Sequence, residues 1–446
     1  MLRYFVSLSV IFSVAFSTAL AVADWPEFRG PYGNGYVAAE NDREPIGLPT
    51  SWSETENVRW KTPIPFHGWS TPVVMEGQIW LTTATDNGHD YYAICVDAAS
   101  GKILRNKQLF HSDSPEPLGN ATNCYAAPSP AIEPGRVYVH FGSYGTACLE
   151  AATGEVIWKR DDLPCRHYRG PSSSVALFEN LLILTLDGVD QQYVVALDKK
   201  TGETVWKTDR NVDWRDQDVT GQSEESAKRI RDGDHRKAHS TPLVIKTPSG
   251  AAQMLSGGAK AAFAYDPRTG GEVWRIEFDD FSVAPRPIYR DGIAYLVTGI
   301  THPELWAIRV ESKGNISETD SVLWRLKSKV PKTASPLLID GLIYLVSDDG
   351  IVSCIDSQNG ESVWQKRIGG SFAASPIYGD GHIFCCDRDG QTTVIKPGRK
   401  FESVATNTLD DGMLASPAVD GRALILRTKS HLYRIENSAP AADGSP

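Results

Sequence analysis

The residues best suited to chemistry sit in short stretches just ahead of a recurring opening. His67 and Trp69 precede Thr71-Pro72, and Asn123, Cys124 and Tyr125 precede Ser129-Pro130. Cys165, Arg166, His167, Tyr168 and Arg169 come before Ser173, and His239 comes before Thr241-Pro242. Arg286 stands at the opening Arg286-Pro287, while Lys332 and Phe372 lie ahead of Ser335-Pro336 and Ser375-Pro376. Brought together, these side chains form a basic, aromatic, imidazole-bearing mouth. Cationic groups in a concave site focus an anion's field, and aromatic faces stack on planar rings. The mouth is therefore a candidate site for a small anionic or planar ligand. A second reading stays open beside it: the same side chains tie up loop backbone and pack between units, since a neutral imidazole readily bridges neighbouring turns.

Other chemistries are poorly represented. There is no G-x-S-x-G, no H-E-x-x-H and no glycine loop of the G-x-x-x-x-G-K type, and no catalytic residue is assigned. Seven cysteines are scattered along the chain without a C-x-x-C. Cys124 and Cys165 precede consecutive openings and are the candidate disulfide pair. Cys385-Cys386 reads as strand, where alternate side chains point to opposite faces, so two separate reduced thiols are expected. Cys95, Cys148 and Cys354 occupy matching late-strand positions that suit a small hydrophobe. The connection Asp209 to Lys237 carries nearly balanced charge. It reads as a solvated segment with a short helical turn over Glu224 to Arg231, placed to act as a partial lid. Its acidic residues lack calcium-loop spacing, and no metal site is assigned.

The 446 residues carry 45 Lys plus Arg against 55 Asp plus Glu, a net charge of -10. Without a basic block the chain is not read as a nucleic-acid binder. Met1 to Ala23 has a positive start, an apolar run and Ala21-Val22-Ala23, the pattern of a signal peptide cleaved after Ala23. No cysteine lies there to take a lipid anchor, and no later run approaches about 18 apolar residues, so no span is expected after cleavage. The expected location is periplasmic or secreted. Residues 24–56 read as an irregular extension, with Trp25 to Gly35 expected across an outer surface and its reach into the channel left open, and residues 437–446 as a frayed tail.

The elements that position the mouth come from a repeat. Eight openings, seven with proline and a degenerate one at Ser173-Ser174-Val175, each lead into short alternating strands. An acidic residue followed four positions later by glycine closes the unit at Asp97/Gly101, Glu150/Gly154, Asp198/Gly202, Asp266/Gly270 and Asp356/Gly360. In four of these a tryptophan follows the glycine by four: Trp158, Trp206, Trp274 and Trp364. Aspartate bonds its own downstream N–H while glycine accepts positive φ, which is the chemistry of a bulged hairpin turn. Trp60 precedes Pro72 by twelve residues, as Trp364 precedes Pro376, yet no repeat lies before it; the last unit has chain for only three strands. The strand around Trp60 is thus predicted to complete the last unit. That closes residues 57–436 into an all-β, eight-bladed propeller of four-stranded antiparallel blades and removes both free sheet edges at the seam.

The stretch Ala196 to Lys207 (Ala-Leu-Asp-Lys-Lys-Thr-Gly-Glu-Thr-Val-Trp-Lys) resembles the repeat of the pyrroloquinoline-quinone-like propeller superfamily. The opening Trp25-Pro26-Glu27-Phe28-Arg29-Gly30-Pro31 is similar to that of secreted propellers of planctomycete bacteria. The resemblance implies one of two functions. One is that of the outer-membrane assembly lipoprotein: an exported, non-catalytic scaffold without cofactor, binding an envelope or extracellular protein partner or a small ligand at one face or the channel mouth. The alternative is a quinone-dependent oxidoreductase, in which pyrroloquinoline quinone and calcium would occupy the mouth. The chain departs from both, lacking the lipid-bearing cysteine of the first and a matching calcium-ligand set for the second.

Overall fold

The computed structural model describes residues 24–438 apart from 40, 41, 43, 120 and 121. The expected signal peptide and most of the expected tail lie outside the described residues. The strands form eight separate sheets arranged as blades of a closed propeller. Blade one comprises Val73–Met75, Gln78–Ala84, Asp90–Asp97 and Ile103–His111, and the later blades repeat this innermost-to-outermost order. Their innermost strands are Ala131–Glu133, Ala176–Phe178, Leu243–Lys246, Ile288–Arg290, Leu337–Ile339, Ile377–Gly379 and Ala418–Asp420.

Closure takes the predicted form. Val58–Pro63 pairs antiparallel with His431–Ile435, with Trp60 opposite Arg434, and becomes the outermost strand of blade eight. Blade four differs from expectation by carrying a fifth strand. The long turn of blade five sends Gly314–Asn315 back to pair in parallel with Glu272–Glu277.

The acidic-to-glycine turn works through backbone geometry. The Gly202 N–H donates to Asp198 O at 2.9 Å with φ at +77°, and the third-to-fourth-strand register slips between Ala196 and Leu197. Glycine is required there for a second reason: a Cβ on Gly202 would lie 2.7 Å from the Trp158 ring of the preceding blade. The indole lies on the bare glycine and donates Nε1–H to Lys199 O at 2.9 Å. Trp60, Trp206 and Trp324 repeat this on Gly101, Gly270 and Gly360 of the next blade. The aromatic expected to fill the wedge between blades therefore also bonds blade to blade. In blade one Arg105 replaces it, its guanidinium donating to Ala152 O.

Of the two placements left open for it, the segment from Trp25 takes the channel and not an outer surface. It enters the ring opposite the mouth and runs along the inner strands. Trp25 exchanges backbone hydrogen bonds with Val74 of blade one, and Ile132 N–H donates to Pro26 O. Tyr36 Oη donates to Leu338 O at 2.6 Å, and Val37 N–H donates to Tyr378 O. Its side chains explain the path. Trp25, Tyr36 and Val37 are apolar bodies that become buried, and the inner-strand carbonyls of blades six and seven need donors. Arg29 supplies them, donating to Pro336 O and Pro376 O.

Candidate functional site

The opening hydroxyls serve the ring itself. At six of the eight junctions the opening N–H donates to the hydroxyl of the next blade's opening: Thr71 to Ser129, Ser129 to Ser174, Ser174 to Thr241, Arg286 to Ser335, Ser335 to Ser375 and Ser375 to Ser416, all at 2.9–3.0 Å. Guanidinium groups act at the other two junctions. Arg286 Nε donates to Pro242 O between blades four and five, and Arg427 donates to Ser70 O, Ser70 Oγ and Thr82 O between blades eight and one.

Within this girdle lies a cavity of about 390 Å³ with Phe28 of the inserted segment among its walls. The channel is therefore a blind pit, open at the mouth. Trp69, Asn123, Arg169, His239 and Lys332 line it, together with Asp348 and Arg388. Among the described residues Asp348 is the one carboxylate lining it, and neutral donors hold it: the Lys332 backbone N–H to Oδ2 at 2.7 Å and Thr333 Oγ1 to Oδ1 at 2.9 Å. Arg169 lies over the Tyr168 ring and 3.5 Å from Asp234. Among the described residues neither the Lys332 ammonium nor the Arg388 guanidinium has an ion-pair partner, and Arg388 Nε is buried without a hydrogen bond. Desolvation, then the neighbouring cations, pushes the His239 imidazole down to about 3, so it is neutral at pH 7. Trp69 is fixed by its Nε1–H bond to Thr122 O and edge contact with His67.

Four of the eleven candidate residues, Trp69, Asn123, His239 and Lys332, thus share the pit. His67 stands behind Trp69, tied by backbone to Ala84 and 3.7 Å from Asp86. Arg166 pairs with Glu116 at 3.0 Å and with Tyr168 lines a separate cleft of about 330 Å³. That cleft is closed by Arg229, Asp232 and Asp234 of the long connection, whose helix spans Glu224–Arg231; no residue from 209–237 lines the pit. The other four are corrections. His167 Nε2 accepts the Ser143 N–H at 3.0 Å. Tyr125 is buried against Tyr91 and Tyr144 with its hydroxyl on Glu116 O. Phe372 is buried in the core and bridges Asp387 by backbone. Arg286, placed at the mouth from sequence, is buried in the ring, paired with Glu27 and bonded to Phe28 O. In these four the polar or aromatic group is consumed by loop and core.

Cys124 and Cys165 are buried and unbridged, as are all seven cysteines. The Cys165 thiol lies instead 3.8 Å from His167 Nδ1. Sequence reasoning missed Phe28, Asp348 and Arg388. A signal existed for the last two: each precedes a repeated Asp-Gly (Asp349-Gly350, Asp389-Gly390), and that turn lies on the same face as the openings.

The residues do not fit a calcium–quinone pair. Among the described residues no group of three His, Cys, Asp or Glu side chains converges to hold a metal. Cys385 and Cys386 lie in the strand His382–Cys386, opposite Thr393 and Thr392, with burial raising the Cys386 thiol to about 12.

The molecule is thus a closed propeller with a hydroxyl-linked ring and a blind, cationic pit. The chain belongs to the family described as outer membrane protein assembly factor BamB, whose repeat pattern matches residues 29–176, 190–317 and 312–400. Among solved structures, BamB from Moraxella catarrhalis matches with 13% identity and a TM-score of 0.56, covering 84% of this chain and 99% of that one. Quinohemoprotein alcohol dehydrogenase from Comamonas testosteroni matches with 13% identity and a TM-score of 0.63, covering 95% and 82%. A europium-containing methanol dehydrogenase matches with 12% identity and a TM-score of 0.61, covering 92% and 88%. At these identities the likeness is one of fold. No curated protein sequence matches the chain. No described helix is long and apolar enough to cross a membrane.

Proposed function

We propose that this protein is an exported, non-catalytic scaffold that recognises an anionic, planar group, free or carried by an envelope partner, in the blind pit. The observation that carries the reading is the pair Lys332 and Arg388, two cations facing one cavity whose single carboxylate is held by neutral donors. Lys332 is exposed and Arg388 half-buried, and cations without an ion-pair partner in a concave site focus their field on an incoming anion. Trp69 supplies a flat apolar face in the same cavity. Export accords with the sequence before Asp24 and with the family's named role in outer-membrane assembly.

Calorimetric titration with benzene-1,3,5-tricarboxylate at low salt tests it. Binding is expected, with Lys332→Ala and Arg388→Ala each weakening it about tenfold, the loss of one charge-assisted contact. Equal binding by both variants, or none by the wild type, overturns the pit as an anion site. Alcohol-dependent dye reduction after adding pyrroloquinoline quinone with calcium would instead establish the oxidoreductase.

A further inference from the structure

Blade four shows what covers the rim of this propeller. Its outermost strand, Glu272–Glu277, has its free edge occupied by Gly314–Asn315, and the chain continues along it: Ile316 N–H donates to Arg275 O at 2.9 Å and Glu277 N–H donates to Ser317 Oγ at 2.7 Å. Ile316 is buried in the same apolar cluster as Trp274, and Val273, the residue before that tryptophan, is half-buried against it. The lengthened turn of blade five exists to reach this edge.

The equivalent position in blades one, two and three, the residue before Arg105, Trp158 and Trp206, is also aliphatic. Here nothing covers it: Leu104 is 45% exposed, Ile157 44% and Val205 51%, with Val156 beside Ile157 at 37%. The strands that bear them, Ile103–His111, Val156–Arg160 and Thr204–Asp209, each end their sheet with an open row of backbone donors and acceptors. An open edge is a template for strand addition; each of these carries a bulge and basic side chains, which disfavour pairing with another basic edge and leave an acidic strand as the matching partner. The charge on these strands is one-sided. Arg105, Lys107, Lys159, Arg160 and Lys207 stand against Asp209 alone, in a chain whose net charge is -10. Three of the five are engaged by carboxylates, Lys107 with Glu155, Arg160 with Asp162 and Lys207 with Asp209; Lys159 and Arg105 reach only carbonyl groups for hydrogen-bonded oxygen.

We propose that the rim of blades one to three, centred on Val156–Arg160, is a docking edge for an extended segment of a partner protein that alternates apolar and acidic residues. The segment adds as a fifth strand in the way Gly314–Asn315 does on blade four. Its apolar side chains cover Val156 and Ile157, and its carboxylates meet Lys159 and its neighbours. This surface lies at the outer circumference, away from the pit, so it stands or falls separately from the anion site.

Hydrogen exchange on the full chain tests it, with a synthetic hexapeptide alternating isoleucine and glutamate as probe. Protection is expected at the amides of Val156–Arg160 or its neighbours in blades one and three, and not at Glu272–Glu277, whose edge is already filled. The same peptide with lysine for glutamate should bind about tenfold more weakly, and so should the glutamate peptide with Ile157→Asp. Ile157→Thr keeps strand propensity at an exposed site and serves as the folded control, with weakened but detectable binding. No protection of the rim, equal protection by the lysine peptide, or indifference to Ile157→Asp overturns the proposal. An unchanged tricarboxylate titration in the same variants shows that the pit reading is untouched.

Discussion

His140 and His167 show how a residue chosen by nature for its hydrogen bonds acquires a pH signature. His140 is 2% exposed with Nδ1 against Thr146 Oγ1 at 2.8 Å, and His167 accepts a backbone N–H. Burial pushes the first down to about 3 and the second to about 4. As pH falls through the unfolded value of about 6.5, the unfolded chain binds protons that the folded chain refuses. Stability is therefore full above that value and is lost as pH drops toward the folded pKa values. Between pH 7 and 4.5 each histidine is expected to contribute a loss on the order of 2 kcal/mol. Urea unfolding at the two pH values checks this: His140→Asn should lose about 2 kcal/mol less than wild type over the interval. Equal losses in both would mean that His140 is not the group responsible. The histidines were visible in the sequence, but which one faces the pit was not. His239 and His167 both precede openings, and only the tertiary position of their loops separates a pit-lining imidazole from a backbone acceptor.

At the scale of the element, the turn glycines divide into two kinds that share one backbone conformation. Gly202 has φ at +77° under the Trp158 ring, and Gly135 has φ at +80° with nothing within 4 Å of the point a Cβ would occupy. Gly135→Ala is expected to cost only the left-handed backbone penalty, about 1–2 kcal/mol. Gly202→Ala must also displace an indole that is packed and hydrogen-bonded, adding about 2 kcal/mol or more. Denaturant melts of the two variants compare them directly, and equal costs would show that the indole contact contributes little. The acidic-to-glycine spacing was enough to place this turn and its bulge, because both are local. The docking of Trp158 on the following blade was not, since the glycine it lies on belongs to another repeat.

For the whole molecule, closure rests on the strand Val58–Pro63 covering His431–Ile435. Truncating the chain to begin at Ile64 removes that strand and the inserted segment, leaving an open sheet edge and an unplugged ring. Edge pairing between molecules is the expected result, read as oligomers by light scattering and as a broadened unfolding transition. A truncated chain that stayed monomeric and unfolded as sharply as the wild type would show that the ring does not depend on this seam. The inserted segment adds a second tie across the ring. Among the described residues the buried Arg29 side chain has only carbonyl oxygens as hydrogen-bond partners, and desolvation lowers it to about 9.

The repeat determined blade number, turn chemistry and the seam at Trp60, because period, Asp-to-Gly spacing and strand alternation are all encoded within about forty residues of chain. Three features came from the ring alone. Trp25 to Val37 became a plug because the inner-strand carbonyls that Arg29 satisfies come from residues more than three hundred positions away. Arg286 was drawn out of the mouth by Glu27 of the same segment. The pit owes Arg388 and Asp348 to turns that converge only after eight blades meet. Local chemistry can be read along a chain, but which charges face one another depends on distances that only closure sets.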